Sequence, residues 1–148
     1  MAKINKQSLY FINESKFWRL VQGYSLREFA ERINKSEGYT GMAESTATDH
    51  KYNIADYTVV CDALFVNLDQ LTPPDDWQVS DSHLKVEKII FSLEDPQFAK
   101  RVINAIKDRH PESLATIECL YKHLNLQTEK EKQVVKEVWK KFIANNNA

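Results

Sequence analysis

The side chains able to do chemistry are few and widely spaced in this chain. Its histidines and cysteines are His50, His83, His110, His123, Cys61 and Cys119. None of them stands at the Cys-x-x-Cys or His-x-x-x-His spacing that places two metal ligands together. The chain also lacks a glycine-rich phosphate loop and the Gly-x-Ser-x-Gly turn of serine hydrolases. The sequence therefore predicts no enzyme activity and no metal or other cofactor, and it predicts both cysteines as buried free thiols.

Charge is the next property to examine, because DNA affinity comes largely from Lys and Arg side chains that neutralise phosphates. The 148-residue chain has 20 Lys and Arg against 21 Asp and Glu, a net charge of -1. Residues 1–74 carry eight basic side chains against nine acidic ones, so the first half is not basic either. Asp75, Asp76 and Asp81 lack the spacing of an EF-hand. We interpret these three carboxylates as part of a solvated linker.

Helical patterns that would position functional side chains begin near residue 13. Apolar side chains recur at steps of three and four over Asn13–Val21, and Gly23 follows as a helix stop. The segment Ser25-Leu-Arg-Glu28 matches a capping box, in which the Ser hydroxyl and the Glu carboxylate bind free amides at a helix start. This motif predicts a second helix from Leu26 to about Ile33.

A third helix is predicted after a short turn. Asn34 tolerates left-handed backbone geometry and should end the second helix. Ser36 can then cap a helix over Ser36–Ser45. Gly38 and Gly41 each cost this helix about 1 kcal/mol relative to Ala. Tertiary packing, or the close approach of a partner, therefore has to stabilise it.

Two more helices complete the first half. Asn53 should cap a fourth helix that runs to Leu64. Its predicted buried stripe is Ile54, Tyr57, Val60, Cys61 and Leu64. Asn67-Leu-Asp-Gln70 repeats the capping pattern for a short fifth helix, and the proline pair at 73–74 prevents its continuation.

Four helical patterns are predicted in the second half. The first spans Leu84 to Leu93, and the second starts at Pro96 after an Asp95 cap. The third covers Leu114 to Leu124, and Thr128 caps a fourth with an apolar stripe over Val134–Ile143. The predicted fold class is therefore all-α. The predicted division is a helical domain over residues 1–74, a linker over 75–82 and a helical carboxy-terminal domain over 83–148.

The first half resembles the five-helix helix-turn-helix domain of Cro and lambda repressor, with a tight turn between helices two and three. The resemblance covers about Asn13 to Pro74 and is closest to a subgroup in Bacteroidetes-like bacteria. The segments that carry it are Ser36-Glu-Gly-Tyr-Thr-Gly-Met-Ala-Glu44, Lys51-Tyr-Asn53, Asp62-Ala-Leu64 and Asn67-Leu-Asp-Gln-Leu71. It implies a lambda-repressor-like domain followed by a small carboxy-terminal helical bundle.

The resemblance also implies a DNA site, because the third helix of such domains lies in the major groove. The side chains it places against base edges are Ser36, Glu37, Gly38, Gly41 and Met42. Phosphates would be bound where helices two and four begin. The residues expected there are Ser25, Arg27, Lys35, Tyr39, Lys51, Tyr52 and Asn53. For His50 and Lys51 the alternative is an ordinary solvated loop, and for Tyr39 and Tyr52 it is internal packing.

Two features of the third helix depart from the family pattern. Thr40 stands where the family usually has a bulky aliphatic residue on the inner face. None of the groove-facing positions is Arg, Lys, Asn or Gln, the side chains that read bases through paired hydrogen bonds. The chain is therefore interpreted as a DNA-binding transcription regulator, with a protein-interaction module on a helix-turn-helix scaffold as the alternative.

The carboxy-terminal stripe is interpreted as the core of a small bundle, as a surface for a second subunit, or as both, and the helices that carry it as a domain for self-association or sensing. Regulators of this type read paired half-sites as two-fold dimers. About 66 residues also form only a marginal core by themselves. The residues expected at a homodimer interface are Val135, Val138, Trp139 and Phe142. Without a secretory leader or a membrane span, the expected location is the bacterial cytoplasm, and an effector of the second half is not specified by the sequence.

Overall fold

The computed structural model of the chain describes residues 3–48, 50–77, 83–85 and 90–146. Helices dominate this part of the chain, which confirms the predicted class. The α-helices are α1 (Lys6–Gln22), α2 (Leu26–Arg32), α3 (Glu37–Glu44), α4 (Tyr57–Leu64), α5 (Pro96–Arg109), α6 (Ile117–Leu124) and α7 (Glu129–Asn146). None of these described helices is both long enough and apolar enough to cross a membrane.

A short ribbon of two strands was not expected. Strand β1 (Lys3–Asn5) pairs antiparallel with β2 (His83–Lys85), with Ile4 opposite Leu84. The helix predicted from Leu84 to Leu93 is therefore wrong at its start. It is also wrong at its end, where the chain forms turns from Ile90 to Asp95. Residues 86–89, the middle of that prediction, lie outside the described residues.

The chain divides into two compact units. The first comprises Met1–Arg19 and Ser25–Ile90, and the second comprises Leu20–Tyr24 and Phe91–Ala148. This division differs from the predicted one, because the last turn of α1 belongs to the second unit. The first unit also continues beyond the predicted linker, to residue 90.

The first unit has an aromatic core. Helix α1 begins at Lys6, earlier than predicted, because Leu9 and Ile12 are buried on its first turns. Phe11 stacks on Tyr57 with ring centroids 3.7 Å apart. Ring pairs of this kind contribute beyond the area that they bury. The largest side chains that are fully buried in this unit are Phe29, Ile12, Leu64, Leu71 and Val60.

Capping determines where α2 and α3 begin, as predicted. Ser25 Oγ accepts a hydrogen bond from the Glu28 backbone N–H at 3.1 Å, and Glu28 Oε1 accepts one from Ser25 N at 3.4 Å. Ser36 Oγ accepts from the Tyr39 backbone N–H at 3.3 Å. Asn34 lies between them with φ of 60°, the left-handed geometry expected there.

The fourth helix differs from its prediction at the amino end. Residues Ile54–Asp56 form a 3-10 turn, and the Asn53 side chain makes no capping hydrogen bond to it. Ile54 is 76% exposed, so its predicted place in the buried stripe is wrong. The following 3-10 turn, Leu68–Leu71, does have the expected cap, since Asn67 N donates to Gln70 Oε1 at 2.9 Å.

The second unit is built around the apolar face of α5. Asp95 Oδ1 accepts from Gln97 N at 2.9 Å, which caps the helix as predicted. Phe98, Val102 and Ile106 are buried along its inner face. A 3-10 turn (Pro111–Leu114) precedes α6, so the predicted third helix is divided. Cys119 on α6 is exposed, which corrects its predicted burial, whereas Cys61 in the first unit is buried.

Polar contacts place the end of α1 within this second unit. His123 Nε2 donates to Val21 O at 2.8 Å, and Asn125 Nδ2 donates to Gly23 O at 3.1 Å. Gly23 has φ of 78°, a conformation that residues with a side chain rarely adopt. The predicted helix stop at Gly23 is thus confirmed.

Candidate functional site: the outer face of α3

Helix α3 has a buried inner face. Thr40 and Ala43 are almost completely buried, and α3 packs closely against α2 across the turn between them. The Thr40 hydroxyl lies 3.0 Å from both Leu26 O and Glu37 O and can donate its single proton to either carbonyl. Threonine therefore occupies the expected aliphatic position with its polar group satisfied, which burial requires.

A buried ion pair joins α3 to α1. Arg19 Nε lies 2.7 Å from Glu44 Oε2, and the second guanidinium nitrogen lies 2.8 Å from Oε1. Both side chains are less than a tenth exposed. Two parallel charge-assisted hydrogen bonds fix the orientation of both partners. The carboxyl end of α3 is thus attached to a helix elsewhere in the chain. Sequence reasoning missed this pair, since its members are separated by 25 positions.

A second polar cluster holds the amino end of α3. The Tyr39 hydroxyl donates to Asp56 Oδ2 at 2.6 Å and accepts from Asn53 N at 3.1 Å. Lys35 Nζ lies 3.5 Å from Asp56 Oδ1 and 5.3 Å from the centre of the Tyr39 ring. Burial and the hydrogen bond to Asp56 raise the pKa of Tyr39 to about 12. The Tyr39 hydrogen bond and the Lys35 charge lower the pKa of Asp56.

Lys51 lies at the carboxyl end of α3. Its Nζ donates to Met42 O at 3.3 Å, Ser45 O at 2.9 Å and Thr48 O at 2.8 Å. The last carbonyls of a helix have no partner inside the helix and carry partial negative charge, so a lysine there stabilises the end. Lys51 therefore has a structural role at α3.

Tyr52 belongs to the core of the first unit. It is 4% exposed, and its ring lies 6.0 Å from that of Phe11 and 5.6 Å from that of Tyr39, measured between centroids. Its hydroxyl has no hydrogen-bond partner among the described residues. Burial raises the pKa of Tyr52 well above its usual value. Because this hydroxyl is not on the surface, Tyr52 has the alternative role of internal packing rather than phosphate contact.

The outer face of α3 is open. Ser36, Glu37, Gly38 and Met42 are exposed, and Gly41 is partly exposed. A Cβ atom added at Gly41 would meet nothing within 4 Å, and one added at Gly38 would meet only Ser36 Oγ at 3.8 Å. Neither glycine has a positive φ. The fold itself therefore requires glycine at neither position.

The remaining predicted phosphate ligands lie near the ends of α2 and before α4. Ser25 is used as the cap of α2, while Asn53 is exposed and donates its backbone N–H to Tyr39. The Arg27 side chain is 76% exposed, and its Nε lies 3.6 Å from Glu31 Oε1. His50 is also exposed. Arg27 is thus the cation of the predicted set that is most accessible to solvent.

The predicted dimer residues divide into two groups within the second unit. Val135 and Trp139 are buried there. Val138 and Phe142 are partly exposed and line a groove between α5 and α7. The stripe therefore forms core on one side and accessible surface on the other.

Comparison of the chain with protein-family models, with curated proteins and with solved structures finds no match. The contacts around α3 are consequently the basis for a functional assignment.

Proposed function

We propose that the chain is a transcription regulator that binds duplex DNA with the outer face of α3 in the major groove, with α2 supporting it. This is the role that the helix-turn-helix resemblance implies. The observation that supports it is the pair of glycines on an exposed face where no internal contact needs them.

The energetic argument starts from the cost of these glycines. Each destabilises a helix interior by about 1 kcal/mol relative to Ala. Alanine at position 38 or 41 would make the helix more stable, since both positions have space for a Cβ atom. Omitting two Cβ atoms instead lets another surface approach the helix backbone closely. The major groove, about 12 Å wide, admits a helix in this way.

Rigidity supports the same role. Polar contacts hold α3 at its amino end through Tyr39, on its inner face through Thr40 and at its carboxyl end through Glu44. A recognition surface works best when its supporting contacts are already formed. Arg27 contributes a phosphate contact beside it, because a weak surface pair such as that with Glu31 is easily exchanged for a phosphate.

A protein partner is the second candidate, and the charge around α3 favours it. Glu37 is exposed on the outer face, and Lys35 is paired with Asp56. Met42 is 46% exposed and offers an adaptable apolar contact. Carboxylate and thioether groups suit a protein surface better than a phosphate backbone.

Salt dependence distinguishes these candidates. Labelled duplex DNA of mixed sequence is titrated with the full chain at about 50 and 200 mM salt. If two or three phosphates are neutralised, the affinity should fall about ten- to fortyfold over this range. Absence of binding at 50 mM salt contradicts the DNA proposal and leaves the protein partner.

A matched pair of variants tests the face itself. Gly41→Ala should raise the thermal stability of the chain and weaken DNA binding, two opposite effects that unfolding cannot produce together. Asn104→Ala, at an exposed position within α5, should also raise the thermal stability, but it should leave the affinity for DNA unchanged. Equal DNA binding by both variants would exclude α3 as the contact.

A further inference from the structure

The second unit contains a groove between α5 and α7 that the proposed DNA contact does not use. Two residues of its wall, Val138 and Phe142, are among those predicted at a homodimer interface. Its volume is about 370 Å³. Ile103, Val138 and Phe142 contribute its apolar lining, with Ile103 almost completely buried and the other two partly exposed. Ligand pockets in proteins are typically about 300–1,000 Å³ and mainly apolar, so this groove is the size of a small-molecule site.

Positive charge surrounds the apolar lining. Lys100 and Lys107, seven positions apart on α5, lie two turns from each other on one face, and Lys141 reaches the groove from α7. Lys107 Nζ lies 5.4 Å from the centre of the Phe142 ring. None of the residues that line the groove is acidic. An apolar surface bordered by three lysines complements a molecule with an apolar body and a negative head group.

We infer that this groove binds a small amphipathic anion, an aryl- or alkyl-substituted carboxylate, with its body on Phe142 and Val138 and its carboxylate among the lysines. Charge complementarity selects an anion, and the groove volume selects a small molecule over a polypeptide. The inference concerns the second unit alone and does not depend on DNA binding. It gives the carboxy-terminal half a specific chemical partner.

The probe for this site is 4-phenylbutyrate, added to the full chain and followed by calorimetry and thermal unfolding. Saturable binding of one molecule per chain is expected. The uncharged 4-phenylbutanol and the cationic 4-phenylbutylamine should bind much more weakly, and acetate should not compete. Failure of 4-phenylbutyrate to bind, equal binding of the alcohol, or full competition by acetate would each overturn the inference.

Lysine variants locate the binding. Lys107→Gln and Lys141→Gln should each weaken 4-phenylbutyrate binding about three- to fivefold, the contribution of one accessible ion pair. Lys140→Gln is the matched control, because Lys140 pairs with Glu137 at 3.7 Å and does not line the groove. Equal effects at Lys140 and Lys141 would overturn the assignment.

A further variant fills the groove. Asn104 is exposed at its edge, so Asn104→Trp should abolish binding while the chain remains folded. If this variant unfolds, the double variant Lys107→Gln/Lys141→Gln decides, since it changes only surface side chains. Sedimentation with and without 4-phenylbutyrate tests whether a second copy of the chain occupies the groove. A dimer that dissociates when 4-phenylbutyrate or Asn104→Trp fills the groove would make this surface a contact between copies and overturn the inference.

Discussion

Helix α3 in the first unit and helix α5 in the second are stabilised in different ways. Helix α3 has eight residues and contains two of the three glycines of the chain, and directional polar contacts hold it at both ends. Helix α5 has 14 residues, a capping Asp95 and an apolar face that is fully buried. The stabilisation from burying apolar surface is spread over many atoms, whereas that of a hydrogen bond or ion pair depends on a single pair of atoms. Small chemical changes should therefore affect α3 more than α5.

The largest effect is expected at the buried ion pair. Glu44→Gln should destabilise the chain by about 3–5 kcal/mol, because it removes the negative charge that lies against the buried Arg19 guanidinium. The free energy of unfolding, measured with urea, tests this.

The matched control is Glu31→Gln, whose exposed pair with Arg27 should contribute at most about 1 kcal/mol. Replacing both buried partners, as Arg19→Met/Glu44→Leu, should recover most of the loss. If Glu44→Gln and Glu31→Gln lost the same free energy of unfolding, the buried ion pair would not be a main contact that holds α3.

The next effect compares a glycine from each region. Gly23→Ala should destabilise the chain by about 1–2 kcal/mol or more, because its φ is positive and a Cβ atom would lie 3.0 Å from the His123 ring. Gly41→Ala should instead stabilise by about 1 kcal/mol, since its Cβ would meet nothing. Melting temperatures measured side by side give both signs. A loss of stability in Gly41→Ala would mean that the fold does require this glycine.

Two tyrosines in the first unit should respond with opposite signs. Tyr39→Phe removes a hydrogen bond to a carboxylate and should cost about 1.5 kcal/mol. Tyr52→Phe removes a buried hydroxyl that has no partner among the described residues, and it should be neutral or stabilise by up to about 1 kcal/mol. Urea midpoints compare them directly. If both variants lose stability equally, the Tyr52 hydroxyl has a bonding partner and its assignment is wrong.

The smallest effect is a pH dependence from His123 in the second unit. Partial burial lowers the pKa of His123 below 6.5, so the unfolded chain takes up a proton first as the pH falls. Stability should be fully present above about pH 6.5 and should fall from there down to the folded pKa. Urea midpoints at about pH 7.5 and 5.5 measure the slope. His123→Gln should flatten it, while His50→Gln, at an exposed position, should not. An unchanged slope in His123→Gln would assign the effect to other groups.

The sequence predicted most of what depends on near neighbours in the chain. The caps at Ser25, Ser36 and Asp95 form as expected, because each joins groups two or three positions apart. The stop at Gly23 and the left-handed Asn34 were predicted for the same reason. The outer face of α3 was expected from the helix-turn-helix resemblance, and its residues are exposed or partly exposed.

Where the structure differs from the predictions, the partners lie outside the predicted helix or turn. Leu84 lies in a strand because β2 pairs with β1, about 80 positions earlier, and short apolar runs fit a strand or a helix equally well. The helix-turn-helix resemblance implied a phosphate contact for Lys51 and Tyr52, with a solvated loop or internal packing as the alternatives. Their actual partners are the carbonyls at the end of α3 and the aromatic core. Neither the Arg19–Glu44 pair nor the groove beside α5 leaves a local signal in the sequence.

The sequence by itself determined the helical class and most helix starts and stops, since capping and helical periodicity act within a few residues. Only the tertiary structure decided which charges are used internally and which surfaces remain open. Lys35, Lys51 and Arg19 look alike in the sequence, yet each lies beside different oxygen atoms in the fold. Burial and pairing depend on segments that are far apart in the chain, and the energy of a charge depends on these surroundings.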